Sequence, residues 1–113
     1  MHEMSLCEGV ARILQETART QGYQRVKVVW LEIGALSGVE VEAMRFSFDA
    51  VTRGTLADGA KLEIIALPGE AWCMQCSKTV PVKQRFDACP DCGSYQLQVV
   101  SGDEMRVKEL EVE

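Results

Sequence analysis

Cys73-Met74-Gln75-Cys76, a gap of twelve residues, then Cys89-Pro90-Asp91-Cys92: the reading of this chain turns on that stretch. Each C-x-x-C offers two thiolates to one ion from a single tight turn. Two such turns close a tetrahedral S4 shell, which suits Zn(II) first and iron second. The middle span falls just short of the usual two-knuckle zinc pattern. A complete S4 shell leaves no open position for substrate, so Cys73, Cys76, Cys89 and Cys92 predict a structural zinc site. Any further function must sit elsewhere in the chain.

Working outward, the 113 residues are enough for one compact domain with a small appendage. The longest apolar run, Val28 to Leu31, is far too short to span a bilayer. The start, Met-His-Glu-Met-Ser, lacks a basic stretch followed by an apolar one, so no signal peptide is expected and a cytoplasmic location is. Cysteines in that compartment stay reduced and hold metal rather than pair. The net charge of −5 weakens a nucleic-acid reading, because neutralising phosphates needs clustered Lys and Arg.

Upstream, Ser5-Leu-Cys-Glu8 has the form of a capping box. Val10, Ile13, Leu14 and Thr17-Ala18 follow at helical spacing, and Gly22 is the expected stop. A helix is predicted from about Ser5 to Gln21. Val26 to Ile33 is β-branched and apolar on both faces, which predicts a central strand. Ser37-Gly-Val-Glu40 opens a second helix with Val41, Met44, Phe48 and Val51 as its buried stripe and Gly54 as its end. Glu40 and Glu42 suit the positive end of its dipole. Lys61 to Leu67 is a strand. Beyond the knuckles, Tyr95 to Val100 is another. The last stretch, Glu104 to Glu113, alternates apolar and charged residues with a phase slip between Val107 and Leu110, and is expected to return to the first sheet. The expected fold class is α+β: a small mixed α/β domain, a three-stranded sheet with two helices, carrying an inserted four-cysteine zinc ribbon. The α/β domain takes residues 1–69 plus 102–113, and the zinc-binding domain 70–101. The insert is too short to bury much core, so its folding should depend on the metal.

The single histidine is His2. A bulky second residue keeps Met1, whose α-amine then lies a few bonds from a backbone amide and the imidazole. Small chelate rings of strong nitrogen donors favour square-planar coordination, which points to Ni(II) or Cu(II). Glu3 adds a backbone nitrogen and a carboxylate. The competing reading is an exposed histidine without a role. No catalytic constellation is present: there is no second histidine to serve a nucleophile and no glycine-rich phosphate loop, so the chain is not expected to be an enzyme. Cys7, the odd thiol, is expected to be buried and inert.

The start Met1-His2-Glu3-Met4-Ser5-Leu6-Cys7, the strand Val29 to Ser37, the segment Arg45-Phe-Ser-Phe48, both knuckles and the closing Gly102 to Glu113 together resemble the HypA/HybF family, its HybF branch most closely. The resemblance runs end to end. It implies a nickel metallochaperone for maturation of [NiFe]-hydrogenases, with Cys73, Cys76, Cys89 and Cys92 as zinc ligands. It places nickel at Met1, His2 and Glu3, using the His2 side chain and the His2 and Glu3 backbone nitrogens. Glu40 falls where relatives carry an acidic residue tied to nickel. The implied cofactor is structural Zn(II), with Ni(II) as transported cargo. The implied partners are the GTPase of the hydrogenase maturation system and the hydrogenase large subunit, with no nucleic acid and no membrane. The chain is expected as a monomer or a homodimer, with Pro68-Gly69 and Ser101-Gly102 as conceivable hinges for exchange of the ribbon. The alternatives are a zinc-ribbon adaptor that binds protein or nucleic acid without nickel, and a rubredoxin-like iron protein suggested by Cys89-Pro-Asp-Cys92-Gly93.

Overall fold

A computed structural model describes residues 2–113 of the chain. Helix α1 spans Glu3–Gln21, beginning before the expected capping box. His2 is the N-cap residue, no side chain caps the helix, and the Leu6 N–H donates to the His2 carbonyl at 3.0 Å. Ser5 and Glu8 lie inside the helix, on its exposed side. What sets the start is a distant contact: the Glu3 carboxylate accepts the Glu40 N–H at 3.1 Å. The buried stripe is Cys7, Val10, Leu14 and Ala18, at helical spacing, whereas Ile13 faces solvent. Gly22 ends the helix as expected, in the left-handed region at φ 79°, its N–H returning to the Ala18 carbonyl at 2.8 Å.

Strand β1 covers Val26–Gly34, helix α2 Val41–Thr52 and strand β2 Lys61–Leu67. In α2 the buried residues are Met44, Ser47, Phe48 and Thr52, and Val41 and Val51 are only half-buried. The stripe is therefore rotated from the expected one, toward two hydroxyl residues. Burial of Thr52 is tolerated because its hydroxyl donates to the Phe48 carbonyl at 2.7 Å, within the helix. The helix closes at Arg53, one residue before Gly54.

Strands β3 (Gly69–Cys73), β4 (Lys78–Val82), β5 (Leu97–Ser101) and β6 (Met105–Val112) complete the fold. The first sheet has the order β2-β1-β6, with β1 central as its apolar faces predict. The C-terminal strand does return to it: Arg25 and Glu113 exchange backbone bonds of 3.1 and 2.9 Å, as an antiparallel pair does. In β6 the inward alternation breaks at Lys108 and Glu109, both exposed, before Leu110 resumes it. The second sheet is antiparallel, in the order β4-β3-β5. Pro81 is accommodated because β4 is an edge strand, where no ladder donor is needed on the outer side.

Two compact units divide the chain. The first comprises Met1–Leu31, Val39–Ile64 and Val107–Glu113. Its core draws Cys7, Val10 and Leu14 from α1, Val26, Val29 and Leu31 from β1, and Met44 and Phe48 from α2. The second comprises Glu32–Gly38 and Ile65–Arg106. Its core is small: Leu36, Ala71, Val80 and Val82 beside Cys73 and Cys89. Here the backbones at the expected hinges run close together. A side chain at Gly69 would meet the Val82 carbonyl oxygen at 2.6 Å, and one at Gly102 would meet the Pro68 carbonyl oxygen at 2.4 Å. Glycine is what permits that approach. Among the described residues, no helix is long and apolar enough to cross a membrane.

Candidate metal centres

The four knuckle cysteines converge. Cys73 ends β3, Cys76 closes the following turn, and Cys89 and Cys92 belong to the second turn before β5. Their sulfur atoms all lie within 4.8 Å of one another. The Cys73 and Cys92 sulfurs are 3.6 Å apart and those of Cys76 and Cys89 3.9 Å. A tetrahedral shell with Zn–S bonds of about 2.3 Å has edges of about 3.8 Å, so the donor set fits Zn(II). Backbone N–H groups support the sulfurs, Cys76 N–H to Cys73 and Asp91 N–H to Cys89, each at 3.4 Å. The same device closes both turns. Ser77 N–H donates to the Cys73 carbonyl and Gly93 N–H to the Cys89 carbonyl, each at 2.9 Å. Both residues following the second cysteine are left-handed, Ser77 at φ 53° and Gly93 at φ 76°.

The thiols are unequal. Burial works against the Cys89 thiolate, but the N–H groups of Cys92 and Asp91 donate to it and its pKa is lowered to about 7. The Cys76 thiol is pushed up to about 12, first by its hydrogen bond with Cys92 and then by burial. Cys73, Cys76, Cys89 and Cys92 would hold a divalent cation as thiolates, and its charge would offset the mutual repulsion that keeps protons on them.

Two ties run beside the cysteines. Lys78 and Asp91 form an ion pair at 2.6 Å, linking the residue two beyond Cys76 to the residue two beyond Cys89. The pair raises the Lys78 pKa. The Gln75 side-chain amide donates to Gln96 at 3.1 Å, and the Met74 N–H donates to the Gln96 carbonyl at 3.0 Å. Nothing in the spacing of Lys78 and Asp91 announces a pair.

The N-terminal candidates are described from His2 onward, and Met1 lies outside the described residues. His2 is exposed at the N-cap of α1. Glu3, the first helical residue, is buried, and its carboxylate accepts the Glu40 N–H, which holds its pKa below the usual carboxylate value. Glu40 caps α2, its own carboxylate accepting the Glu42 N–H at 3.4 Å. Glu3 and Glu40, distant in sequence, are therefore neighbours. Cys7 is fully buried and donates to the Met44 carbonyl at 3.4 Å. Burial, with the nearby Glu3 charge adding to it, pushes its thiol up to about 11. That is an inert core cysteine, as expected.

Four cysteine sulfurs converging within 4.8 Å of one another are the arrangement of a metal-binding protein. The family model for "Hydrogenase/urease nickel incorporation, metallochaperone, hypA" matches residues 1–112, and the chain belongs to that family. It is 64% identical to the hydrogenase maturation factor HypA of Azotobacter chroococcum mcd 1 and 63% identical to that of Rhodopseudomonas palustris strain BisA53, each alignment covering all of both chains. The solution structure of the Ni metallochaperone HypA from Helicobacter pylori has the same fold, with a TM-score of 0.72 at 24% identity, over 99% of this chain and 97% of that one.

Proposed function

We propose that this chain carries Ni(II) at its N-terminus and hands it on during [NiFe]-hydrogenase maturation, while Cys73, Cys76, Cys89 and Cys92 hold a structural Zn(II). The nickel donors are the His2 imidazole and the backbone nitrogens of His2 and Glu3, with the Met1 end and Glu40 beside them. The observation that carries this is the position of His2 and Glu3 at the start of α1. The first N–H groups of a helix serve no carbonyl of that helix, so a metal can displace their protons without breaking a helical hydrogen bond. His2 is exposed, as a donor must be for an ion that has to be taken up and released. Raw affinity favours Cu(II) over Ni(II), so selection must come from geometry and ligand type.

The nickel domain in this proposal is residues 1–69 plus 102–113, and 70–101 is the zinc ribbon. The receiving proteins are the GTPase of the maturation system and the hydrogenase large subunit, in the cytoplasm. Membership of a nickel-incorporation family supports this reading, and so do relatives named as hydrogenase maturation factors. The test is a calorimetric titration of Ni(II) into untagged, zinc-loaded protein with a native Met1, beside His2→Ala. One equivalent bound by the native chain and lost in the variant, with zinc and fold retained, sustains the carrier. Equal binding by both, or none by either, removes His2 from the site and leaves a zinc-ribbon adaptor.

A further inference from the structure

A nickel carrier with a four-thiolate cluster faces a problem of its own making. Thiolates also bind Ni(II), and cargo captured by the ribbon would displace zinc and be lost. Charge does not separate the two divalent ions. Geometry does, since zinc with four thiolates is tetrahedral while Ni(II) favours a square-planar shell. In a tetrahedral shell, the planes through the metal and each pair of sulfurs from one knuckle stand perpendicular. In a square-planar shell they coincide. Converting one into the other turns one knuckle about 90° against its partner, a rotation that follows from the two geometries alone.

The structure contains one tie that such a rotation must stretch and one brace that holds the first knuckle still. Lys78 and Asp91 bridge the knuckles at 2.6 Å, each two residues beyond a cysteine of a different pair. Gln75, inside the first knuckle, bonds Gln96, just beyond the second, and the adjacent Met74 N–H fixes the Gln96 carbonyl. Lys78 is further restrained by its place in β4, directly opposite Cys73 in the sheet register. A single exposed ion pair contributes little to stability. Resisting a rotation is a different task, because the Lys78–Asp91 pair would have to break while the β3–β4 ladder and the Gln75–Gln96 bond hold the first knuckle in place.

We infer that Lys78 with Asp91, and Gln75 with Gln96, are metal-selectivity residues of the ribbon: they lock the two knuckles in the crossed arrangement that accepts zinc and excludes the nickel cargo. The inference rests on the carrier reading for the need to exclude nickel. Its geometry stands on the ribbon alone.

The test uses the zinc-loaded full chain, with His2→Ala in every protein so that N-terminal nickel contributes nothing to the signal. Failure here then leaves the carrier reading standing. The parent, Lys78→Gln with Gln75→Ala, and the exchanged pair Lys78→Asp with Asp91→Lys are each challenged with Ni(II) and, separately, with Cd(II), a thiophilic ion content with tetrahedral geometry. Zinc release is followed with a chromogenic chelator, and nickel entry by its thiolate-to-metal absorption in the near ultraviolet. The expected result is nickel exchange about 10- to 100-fold faster in the double variant, the range seen when residues supporting metal ligands are removed, with the nickel–thiolate band appearing and cadmium exchange little changed. The exchanged pair should recover most of the parent's resistance. Equal nickel exchange in parent and double variant overturns the inference. Nickel and cadmium rates rising together also overturn it, since the ties would then merely retain metal. An exchanged pair as permissive as the double variant removes Lys78 and Asp91 from the mechanism.

Discussion

The Glu3 carboxylate accepts the Glu40 backbone N–H at 3.1 Å, joining the first turn of α1 to the N-cap of α2 across thirty-seven positions of sequence. The bond places an acidic group at the start of each helix, where the dipole favours it. It also brings together two residues proposed to attend the nickel site.

Because that N–H lowers the Glu3 pKa below its ordinary value of 4.5, the sign of its pH dependence is fixed. A carboxyl group whose folded pKa is depressed stabilises the folded state above the unfolded value and loses that contribution as pH falls through the folded one. The Glu40 amide proton, followed by NMR, should therefore shift with a midpoint below 4.5 and be flat from there to neutral pH. Glu3→Gln should abolish the transition. A midpoint at or above 4.5 in the native chain would sink the assignment.

Removal of the metal should act on one unit. The second unit's core cluster is Leu36, Ala71, Val80 and Val82 with two of the proposed ligands, and half-buried Leu97 and Val99 pack against it, too little apolar surface to fold unaided. Structural zinc contributes about 10–16 kcal/mol to comparable small modules. A strong chelator under reducing conditions should collapse the amide dispersion and exchange protection of β3, β4 and β5, while α1 and α2 keep theirs. Uniform loss across both units would show that the first depends on the ribbon as well.

Cys7 should be chemically silent while the chain is folded. With its thiol pushed up to about 11, its thiolate fraction at pH 8 is under about one per cent, and its sulfur is sealed beneath α2. Mass spectrometry after brief alkylation of zinc-loaded protein at pH 8 should find Cys7 unmodified, and unfolding should expose it. Cys7→Ala should leave zinc binding intact and cost about 1 kcal/mol, the lower end for a small buried void.

How far the sequence disclosed this molecule depends on the range of the interaction that fixes each element. The central position of β1, the Gly22 stop and the pairing of the four knuckle cysteines are local patterns, and all were legible. The start of α1 was not. Ser5 and Glu8 have the composition of a capping box, but Glu3 is held by a partner thirty-seven residues away, and that contact begins the helix earlier. Strands β3 and β4 escaped because each is five residues long and the second contains Pro81, which argues against a strand unless it lies at an edge. The stripe of α2 was misplaced because Ser47 and Thr52 are polar by composition, although Thr52 satisfies its hydroxyl within the helix. The ties across the knuckles were invisible for the same reason as Glu3 and Glu40: they are long-range pairs between ordinary polar residues.

The two knuckles also predict an asymmetry. Both place a left-handed residue after the second cysteine, and that residue's own N–H returns to the first cysteine's carbonyl. The second uses glycine. The first uses Ser77, at φ 53°, where a side chain costs about 1–2 kcal/mol. Gly93→Ala should impose that cost, and it is a pure backbone effect, because a methyl group there would touch nothing within 4 Å. Ser77→Gly should relieve it, less the extra freedom that glycine gains in the unfolded chain, leaving a net gain of about 0–1 kcal/mol. Urea unfolding of zinc-loaded protein, followed by zinc release, reads both. If Gly93→Ala were neutral, the second knuckle would have another way to close its turn, and the shared geometry of the two sites would be coincidence.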